Sequence, residues 1–260
     1  MLARRDDWLR AGVLAPWQQA ADAAQVRWVA VPGMNALARH LLVGIEVTFA
    51  APVTAVERVT SGWRLHVGDM GVAEGFDALI VAIPAPQAAA LLAGKSPWST
   101  LLAAVEMTPC WALMLAGAKG LPQDPPQDLS DSGEASDPDA ALAWLACEAS
   151  KPGRSATPDA WVLHATDTWS QAHLEADPGV VAAELWRVLA ARLGVPAAPP
   201  PPHLVAHRWR HARVRRPLAV PSLWNAGLAL GLCGDWCLGA RVEAALLSGA
   251  DVAHRLIDGL

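Results

Sequence analysis

The sequence predicts an α/β fold to which an antiparallel sheet has been added. Short runs rich in β-forming residues, separated by glycines, fill residues 46–83. Near the carboxyl terminus, residues 229–256 combine an apolar strand, a Gly-Asp turn and a helical segment. Between these blocks, residues 110–116, 142–147 and 161–165 have strand character, and residues 180–193 form an amphipathic helix. This alternation of strands and helices is typical of α/β proteins.

The amino-terminal region is predicted to be mostly helical. Residues 6–24 have helical periodicity that is interrupted at Pro16, and residues 26–31 form a short extended run. Pro32-Gly33 then signals a turn, after which helical periodicity resumes over residues 35–42. We therefore expect a strand or loop that feeds the start of a helix near Gly33.

The following block carries the clearest β-strand signal. We predict strands at residues 46–49, 53–59, 63–67 and 78–83, with a hairpin turn at Thr60-Ser61-Gly62. Residues 79–83 are all apolar, which indicates a strand that is buried on both faces. Pro84 ends that strand, and a helix is expected over residues 85–92.

The middle of the chain is predicted to contain a second group of strands. Residues 110–116 and 142–147 are interpreted as two paired strands, and residues 161–165 as another. The intervening residues 117–140 are rich in Pro, Asp, Ser and Gly, which indicates a mobile surface loop. The helix over residues 180–193 ends at Gly194, and a further strand is expected at residues 203–209.

Composition and charge exclude several classes of protein. The 260 residues are 53% hydrophobic and 17% charged, and the formal net charge of −5 gives no reason to expect a nucleic-acid partner. The most apolar stretch contains Asp235, Arg241 and Glu243, which predicts that it is not a membrane span. The amino terminus is charged and lacks the apolar core of a signal peptide, so a cytoplasmic location is expected.

Four cysteines fit that compartment as buried, reduced thiols. Cys233 and Cys237 are spaced CxxxC without a histidine pair nearby, so packing is the better interpretation and no metal site is expected.

The segment from Gly231 to Gly249 contains the pattern with the clearest chemical meaning. Gly234 and Gly239 allow the backbone to approach a ligand closely. The helix that starts near Arg241 and Val242 offers free N–H groups and a partial positive charge, which bind anionic oxygen or stabilise negative charge on a ring. Asp235 lies just after the strand, where its carboxylate can accept hydrogen bonds from sugar-like hydroxyls, although a plain turn aspartate is the alternative.

This segment resembles the carboxy-terminal flavin motif of the amine-oxidase superfamily, and it is closest to the renalase-like bacterial branch. That motif is a Gly-Asp pair followed by a glycine and a V-E-x-A helix. The resemblance extends over nearly the whole chain, because three further motifs appear in the family's order. They are a helix start at residues 31–37, a β-meander at residues 52–56 and 77–84, and a W-R-x-A strand at residues 207–212.

The resemblance implies FAD as the cofactor and assigns residues to it. Asp235 would contact the ribityl–pyrophosphate region, and the backbone of Arg241 and Val242 would face the pyrimidine edge of the isoalloxazine. Gly234 and Gly239 would allow close approach, and the main chain at Val53 would meet the adenine.

The resemblance also places four side chains on strands that line the family's substrate cavity. Each of the four is individually more typical of a core position, and none is assigned as an acid or base. The candidates are Trp111, Trp144, His164 and Trp209.

In domain terms, the resemblance implies an FAD/NAD(P)-binding domain of the Rossmann-like, glutathione-reductase type together with an antiparallel-sheet substrate domain. We expect a helical substrate or linker segment at residues 1–44, an FAD-domain meander at 45–85, the substrate domain at 86–222 and an FAD-binding strand and helix at 223–260. No GxGxxG motif is present, so the FAD domain is expected to be incomplete and amino-terminally truncated. The chain alone is then expected to bind FAD weakly or not at all and to aggregate through exposed strand edges.

The predicted function is that of an FAD-dependent oxidase or dehydrogenase with a small-molecule substrate. It would take a hydride from an amine, a dihydronicotinamide or a similar reduced carbon. Two alternatives stay open: a non-catalytic remnant without bound FAD, and a desaturase or protoporphyrinogen-oxidase-like flavoenzyme with another cavity. The sequence leaves the hydride donor, the electron acceptor and the oligomeric state open.

Overall fold

A computed structural model describes residues 2–17, 26–118, 121, 141–157, 159–194 and 200–259. The chain forms two compact units, each built from two separate stretches. The first unit comprises Met1–Glu46 and Pro109–Arg210, and the second comprises Val47–Thr108 and His211–Leu260. Helices and antiparallel strands occur in both, which confirms the predicted mixture of α and β structure with antiparallel sheets.

The first unit opens with helix α1 (Leu2–Arg10), followed by strand β1 (Leu14–Trp17). The predicted helix over residues 6–24 is therefore wrong beyond Arg10 within the described residues. Pro16 cannot supply the N–H that a helix interior needs, and it lies in β1 instead. Residues 18–25 lie outside the described part of the chain.

Strand β2 (Arg27–Ala30) pairs antiparallel with β1 and confirms the extended run predicted there. It is followed by helix α2 (Ala36–Leu41), as predicted. The hairpin packs Trp17 and Val29 against Ala146, so it belongs to the core of the first unit.

The main sheet of the chain has the strand order β10-β7-β9-β8. Its strands are β7 (Glu106–Ala116), β8 (Leu142–Cys147), β9 (Ala160–Ala165) and β10 (His203–Arg216). The prediction that β7 and β8 pair with each other is wrong, because β9 lies between them and pairs antiparallel with both. Most of the predicted mobile loop, residues 119–120 and 122–140, lies outside the described residues.

Two helices cover this sheet within the first unit. Helix α5 (Asp167–Ala172) begins at Thr166, whose hydroxyl accepts the Trp169 N–H at 3.2 Å. Helix α6 (Pro178–Arg192) begins after Asp177, whose carboxylate caps the free N–H groups of the first turn. The buried positions of α6 recur every three to four residues, as the sequence pattern predicts.

The second unit contains an antiparallel meander of β3 (Val53–Val59), β4 (Gly62–Val67) and β5 (Gly71–Phe76). The hairpin predicted between β3 and β4 is confirmed. Strand β5 was not predicted, since its two glycines suggested turns. The strand predicted at residues 46–49 is wrong, because those residues are exposed and do not form a strand.

A second, smaller sheet completes this unit. It has the order β11-β12-β6, with β6 (Leu79–Val81), β11 (Leu223–Asn225) and β12 (Leu230–Leu232). Strand β12 runs parallel to β6. The prediction that residues 79–83 are buried on both faces is wrong, because β6 is an edge strand and Ile83 beyond it is 38% exposed.

Three helices accompany these strands: α3 (Ala85–Leu91), α4 (Ser99–Ala103) and α7 (Val242–Asp258). Helix α7 packs directly on β12 at Gly231, where an added Cβ would lie 2.5 Å from Ile80 Cδ1 and 2.6 Å from Val252 Cγ2. The absence of a side chain at Gly231 therefore allows the helix to approach the sheet.

Buried tryptophans hold the second unit together. The indole N–H of Trp63 donates to the carbonyls of Leu228 at 3.0 Å and Ala229 at 3.2 Å, which joins the meander to the chain just before β12. Trp236 donates to the carbonyl of Ile83 at 3.0 Å. Most of the 13 tryptophans in the chain are buried, as the absence of tyrosine suggests.

The predicted domain boundaries differ from these units at three places. Residues 45–46 were assigned to the FAD-domain meander but belong to the first unit. Residues 86–108 and 211–222 were assigned to the substrate domain but belong to the second unit. The functional assignment of the segments stays a prediction. Across the part of the chain that the structure describes, no helix has both the length and the apolar character needed to span a membrane.

Candidate functional site

The carboxyl ends of β6 and β12 meet at one edge of the small sheet. Because the two strands are parallel, the chain leaves both of them at the same side. Residues 233–241 follow β12 there and connect it to α7. In open α/β sheets, ligands bind outside the carboxyl ends of parallel strands, so this edge is the first candidate site.

Gly234 occupies the tightest position of this connection. Its N–H donates to the buried Ser248 hydroxyl on α7 at 3.0 Å, which fixes the turn against the helix. A Cβ at Gly234 would lie 2.4 Å from the indole nitrogen of Trp236, a side chain that is itself almost fully buried. A side chain at this position would therefore displace the Trp236 ring.

Asp235 follows at once and is half-buried. Burial raises the pKa of its carboxyl group, while hydrogen bonds from the backbone N–H groups of Asp235 and Trp236 act in the opposite direction. The Asp235 carbonyl accepts hydrogen bonds from Leu238 N at 3.0 Å and Gly239 N at 2.7 Å. The side chain is thus held at a compact turn, where it can accept hydrogen bonds from a ligand.

Gly239 and the start of α7 form the open side of the same site. Gly239 has φ +143°, and an added Cβ would meet no atom within 4 Å. Arg241 precedes the helix in an extended conformation and provides no side-chain cap, and Val242 is 68% exposed. The first-turn N–H groups of this 17-residue helix therefore have no side-chain cap at Arg241, and they carry the partial positive charge of a helix start.

The structure thus brings five of the six predicted cofactor residues into one connection and leaves Val53 elsewhere. Val53 begins β3 and lines an open apolar groove of about 410 Å³ on the meander. The other described residues of this groove are Thr48, Ala51, Leu65, Val67, Met70, Val72, Ala73 and Phe76. None of the other five predicted cofactor residues is among them.

A second cavity, of about 420 Å³, lies within the first unit, and we call it the tryptophan cavity. Two of the predicted substrate residues, Trp144 and His164, are neighbours in it, with ring centroids 5.0 Å apart. They sit opposite each other on the paired strands β8 and β9. The described lining residues are Trp17, Arg27, Trp28, Val29, Met34, Trp144, Glu148, Lys151, Val162 and His164.

The other two predicted substrate residues do not line this cavity. Trp111 is fully buried in the core of the first unit, and its indole N–H donates to the carbonyl of His173 at 3.1 Å. Trp209 is 56% exposed on β10, where its ring lies edge-on to His207 at 4.6 Å.

Several residues of the cavity were not predicted from the sequence. Trp17 and Trp28 come from the β1–β2 hairpin, part of which was interpreted as helix. Lys151 follows β8 and is the one buried lysine among the described residues. A lone lysine beside Pro152 and Gly153 gave no signal of burial, so only the fold reveals its position.

The cysteines lie in the interior of the protein. All four are buried. Burial raises the pKa of Cys233, and it raises the pKa of Cys237 to about 11, so both thiols are protonated at neutral pH. Within the described residues, no group of three or more His, Cys, Asp or Glu side chains could hold a metal ion.

Comparison with known proteins adds two findings. The sequence model of a family described as flavin containing amine oxidoreductase matches residues 13–257. Among solved structures, the chain is similar to a provisionally assigned protoporphyrinogen oxidase from Exiguobacterium sp. 255-15, with a TM-score of 0.65 and 15% sequence identity. The match covers 90% of this chain and 53% of the other, so the chain spans about half of that protein's length. At this identity the likeness concerns the fold.

Proposed function

The chain belongs to the flavin-containing amine oxidoreductase family, and from this membership we propose that it acts within an FAD-dependent oxidoreductase whose cofactor is bound by the second unit. The observation that carries the proposal is the connection from β12 to α7. It places glycines, an aspartate and an open helix start at the carboxyl edge of two parallel strands. This arrangement is typical of the nucleotide-binding edge of a Rossmann-like domain.

The residues present at this edge fit an FAD molecule. Gly239 leaves open space beside the backbone, and Gly234 keeps the turn compact. The half-buried Asp235 carboxylate would accept hydrogen bonds from ribityl hydroxyls, while the backbone of Arg241 and Val242 would face the electron-poor edge of the ring. The main chain at Val53 would contact the adenine.

When bound, the flavin ring accepts a hydride from a reduced substrate. The part played by this chain is to bind and orient the two molecules. The open start of α7 provides partial positive charge, which favours negative charge on whatever lies against it. No side-chain base is required for hydride transfer, and the proposal assigns none.

For the substrate we propose the first unit, where Trp144 and His164 contribute to the tryptophan cavity. Its walls are mostly aromatic and aliphatic, with a few charged groups, as is typical of small-molecule sites. Trp111 and Trp209 are candidates only through the family resemblance, because Trp111 is buried in the core and Trp209 lies on the surface.

An FAD titration of the full chain tests the proposal. As the wild-type chain binds added FAD, quenching of the flavin fluorescence should reach saturation, and a low affinity should only shift saturation to higher concentrations. Asp235→Asn should weaken the binding by about tenfold, since a charge-assisted hydrogen bond is lost. Asp69→Asn, an exposed position of the same unit, should bind as the wild type does. Absence of saturation, or equal affinities for Asp235→Asn and Asp69→Asn, would contradict the proposed site.

A further inference from the structure

The charges of the tryptophan cavity show which ligands it can accept. Lys151 reaches the cavity from the segment after β8, and its side chain is only 7% exposed. Its ammonium lies 5.5 Å from the centroid of the Trp17 ring and 5.8 Å from that of Trp144. Each of these two rings therefore already faces a cation of the chain itself, which repels a second cation placed nearby.

Among the described lining residues, the one carboxylate is also already paired. Glu148 accepts a hydrogen bond from Lys151 through one oxygen and lies 3.3 Å from the Arg154 Nε through the other. Arg154 is fixed in place by the carbonyls of Ala30 and Pro32. A ligand ammonium would therefore find no uncommitted carboxylate among the described lining residues.

Among the described residues whose ion pairs are known, the charge at the cavity is positive. Lys151 lines it and Arg154 pairs with Glu148 from behind, so two cations face one anion. Lys151 carries three N–H donors, of which the structure commits one to Glu148. The remaining donors point to a preference for an anionic group, because the low polarity of the surroundings strengthens such an interaction.

The walls determine the rest of the ligand. Trp28, Val29, Met34 and Val162 provide apolar surface, and the rings of Trp144 and His164 lie close together at an interplanar angle of 31°. Such walls favour a flat, aromatic molecule that stacks on an indole or imidazole ring. A cavity of about 420 Å³ has room for one ring system with a short acidic substituent.

We propose that the tryptophan cavity binds a planar aromatic molecule that carries a carboxylate or phosphate group, with Lys151 holding that group, and that it rejects protonated amines. As a statement about the substrate of the enzyme, this inference rests on the proposed function. As a statement about binding, it depends only on the first unit.

Three probes with one ring system test the inference on the full chain. Indole-3-acetate, indoxyl phosphate and tryptamine share an indole but carry a carboxylate, a phosphate and an ammonium group. Isothermal titration calorimetry should show binding of at least one acid, at least about tenfold tighter than that of tryptamine. The tighter acid identifies the acidic group. Tryptamine binding as tightly as the acids, or failure of both acids to bind, would overturn the inference.

Variants then locate the binding. Lys151→Met keeps most of the length of the unbranched side chain but removes its charge, and it should weaken acid binding by at least about tenfold. Lys95→Met, at an exposed position of the second unit, is the matched control and should have no effect. Glu148→Gln removes the opposing negative charge and should tighten acid binding. Because a gain in affinity does not arise from partial unfolding, Glu148→Gln keeps the test decisive if Lys151→Met folds poorly. Unchanged acid binding in both cavity variants would refute the site.

The two experiments distinguish failure of the proposed FAD site from failure of the proposed ligand class of the tryptophan cavity. If FAD saturates the chain but neither acid binds, the ligand class is wrong and the cofactor site stands. If an acid binds through Lys151 while FAD does not bind, the cavity is a ligand site but the proposed oxidoreductase function loses its support.

Discussion

Replacing Gly234 by alanine should destabilise the second unit substantially. The new Cβ would lie 2.4 Å from Nε1 and 2.6 Å from Cδ1 of Trp236, distances that van der Waals contact does not allow. Trp236 is buried and donates to the Ile83 carbonyl, so the ring can move only by repacking the core and weakening this hydrogen bond. Overpacking costs roughly 1–3 kcal/mol and the hydrogen bond about 1 kcal/mol, which gives an expected loss of about 2–4 kcal/mol.

Urea and thermal unfolding, followed by tryptophan fluorescence and circular dichroism, measure this loss. For a protein of this size, about 2–4 kcal/mol corresponds to a decrease in Tm on the order of 5–15 °C. Gly249→Ala is the matched control, because it lies within α7 and an added Cβ meets nothing within 4 Å. It should leave stability unchanged or raise it by up to about 1 kcal/mol. A Gly234→Ala chain that unfolds within about 0.5 kcal/mol of the wild type would refute the steric argument.

Three further outcomes are expected. The Ser222 hydroxyl, and after it Arg255, lower the pKa of Asp251. The ionised carboxylate therefore stabilises the fold above its unfolded-state pKa, and this contribution is lost as the pH falls through the folded-state pKa. Asp251→Asn should reduce the acid-induced loss of stability that urea unfolding measures from neutral to acidic pH. Burial raises the pKa of Cys237 to about 11, so iodoacetamide at mildly alkaline pH should leave this thiol unmodified in the native chain and alkylate it in urea. Rapid alkylation of the native chain, detected by mass spectrometry, would contradict the burial of Cys237. Trp63→Phe removes an N–H donor shared by two carbonyls and should cost about 1–3 kcal/mol in thermal unfolding, whereas Trp209→Phe, at an exposed position, should be nearly neutral; equal effects of the two would argue against the buried role of Trp63.

The elements that sequence reasoning predicted well are those whose local pattern and tertiary environment agree. The predicted bounds of strand β8 match the structure at both ends. The bounds of helix α6 match within two residues, because the apolar positions of this helix recur at the helical period and Gly194 follows it. The errors arise where pairing decides the structure. Pro16 interrupts a helical pattern, but only the pairing of β1 with β2 shows that a strand replaces it. Likewise, no local signal indicates that β9 lies between β7 and β8.

The two candidate sites differ in the same way. The connection from β12 to α7 was predictable because Gly234, Asp235, Gly239 and the helix start are consecutive in sequence, so their chemistry is local. Only two of the ten described residues that line the tryptophan cavity, Trp144 and His164, were predicted. Trp17 hydrogen-bonds to Ser150, 133 residues away, and such a neighbourhood follows only from the packing of the β1–β2 hairpin against β8. Lys151 had no distinguishing sequence signal, although it determines the charge of the cavity.

Each unit is assembled from two stretches that are far apart in the chain, which has a consequence for biogenesis. During synthesis, residues 1–46 leave the ribosome well before residues 109–210, with which they form the first unit. The apolar surface of residues 1–46 therefore stays exposed until residues 109–210 have been synthesised. The contacts that complete each unit join residues that are far apart in the sequence. We therefore expect slow folding. Because the stretches interleave, a single break in the chain cannot release either unit as an independently folding piece.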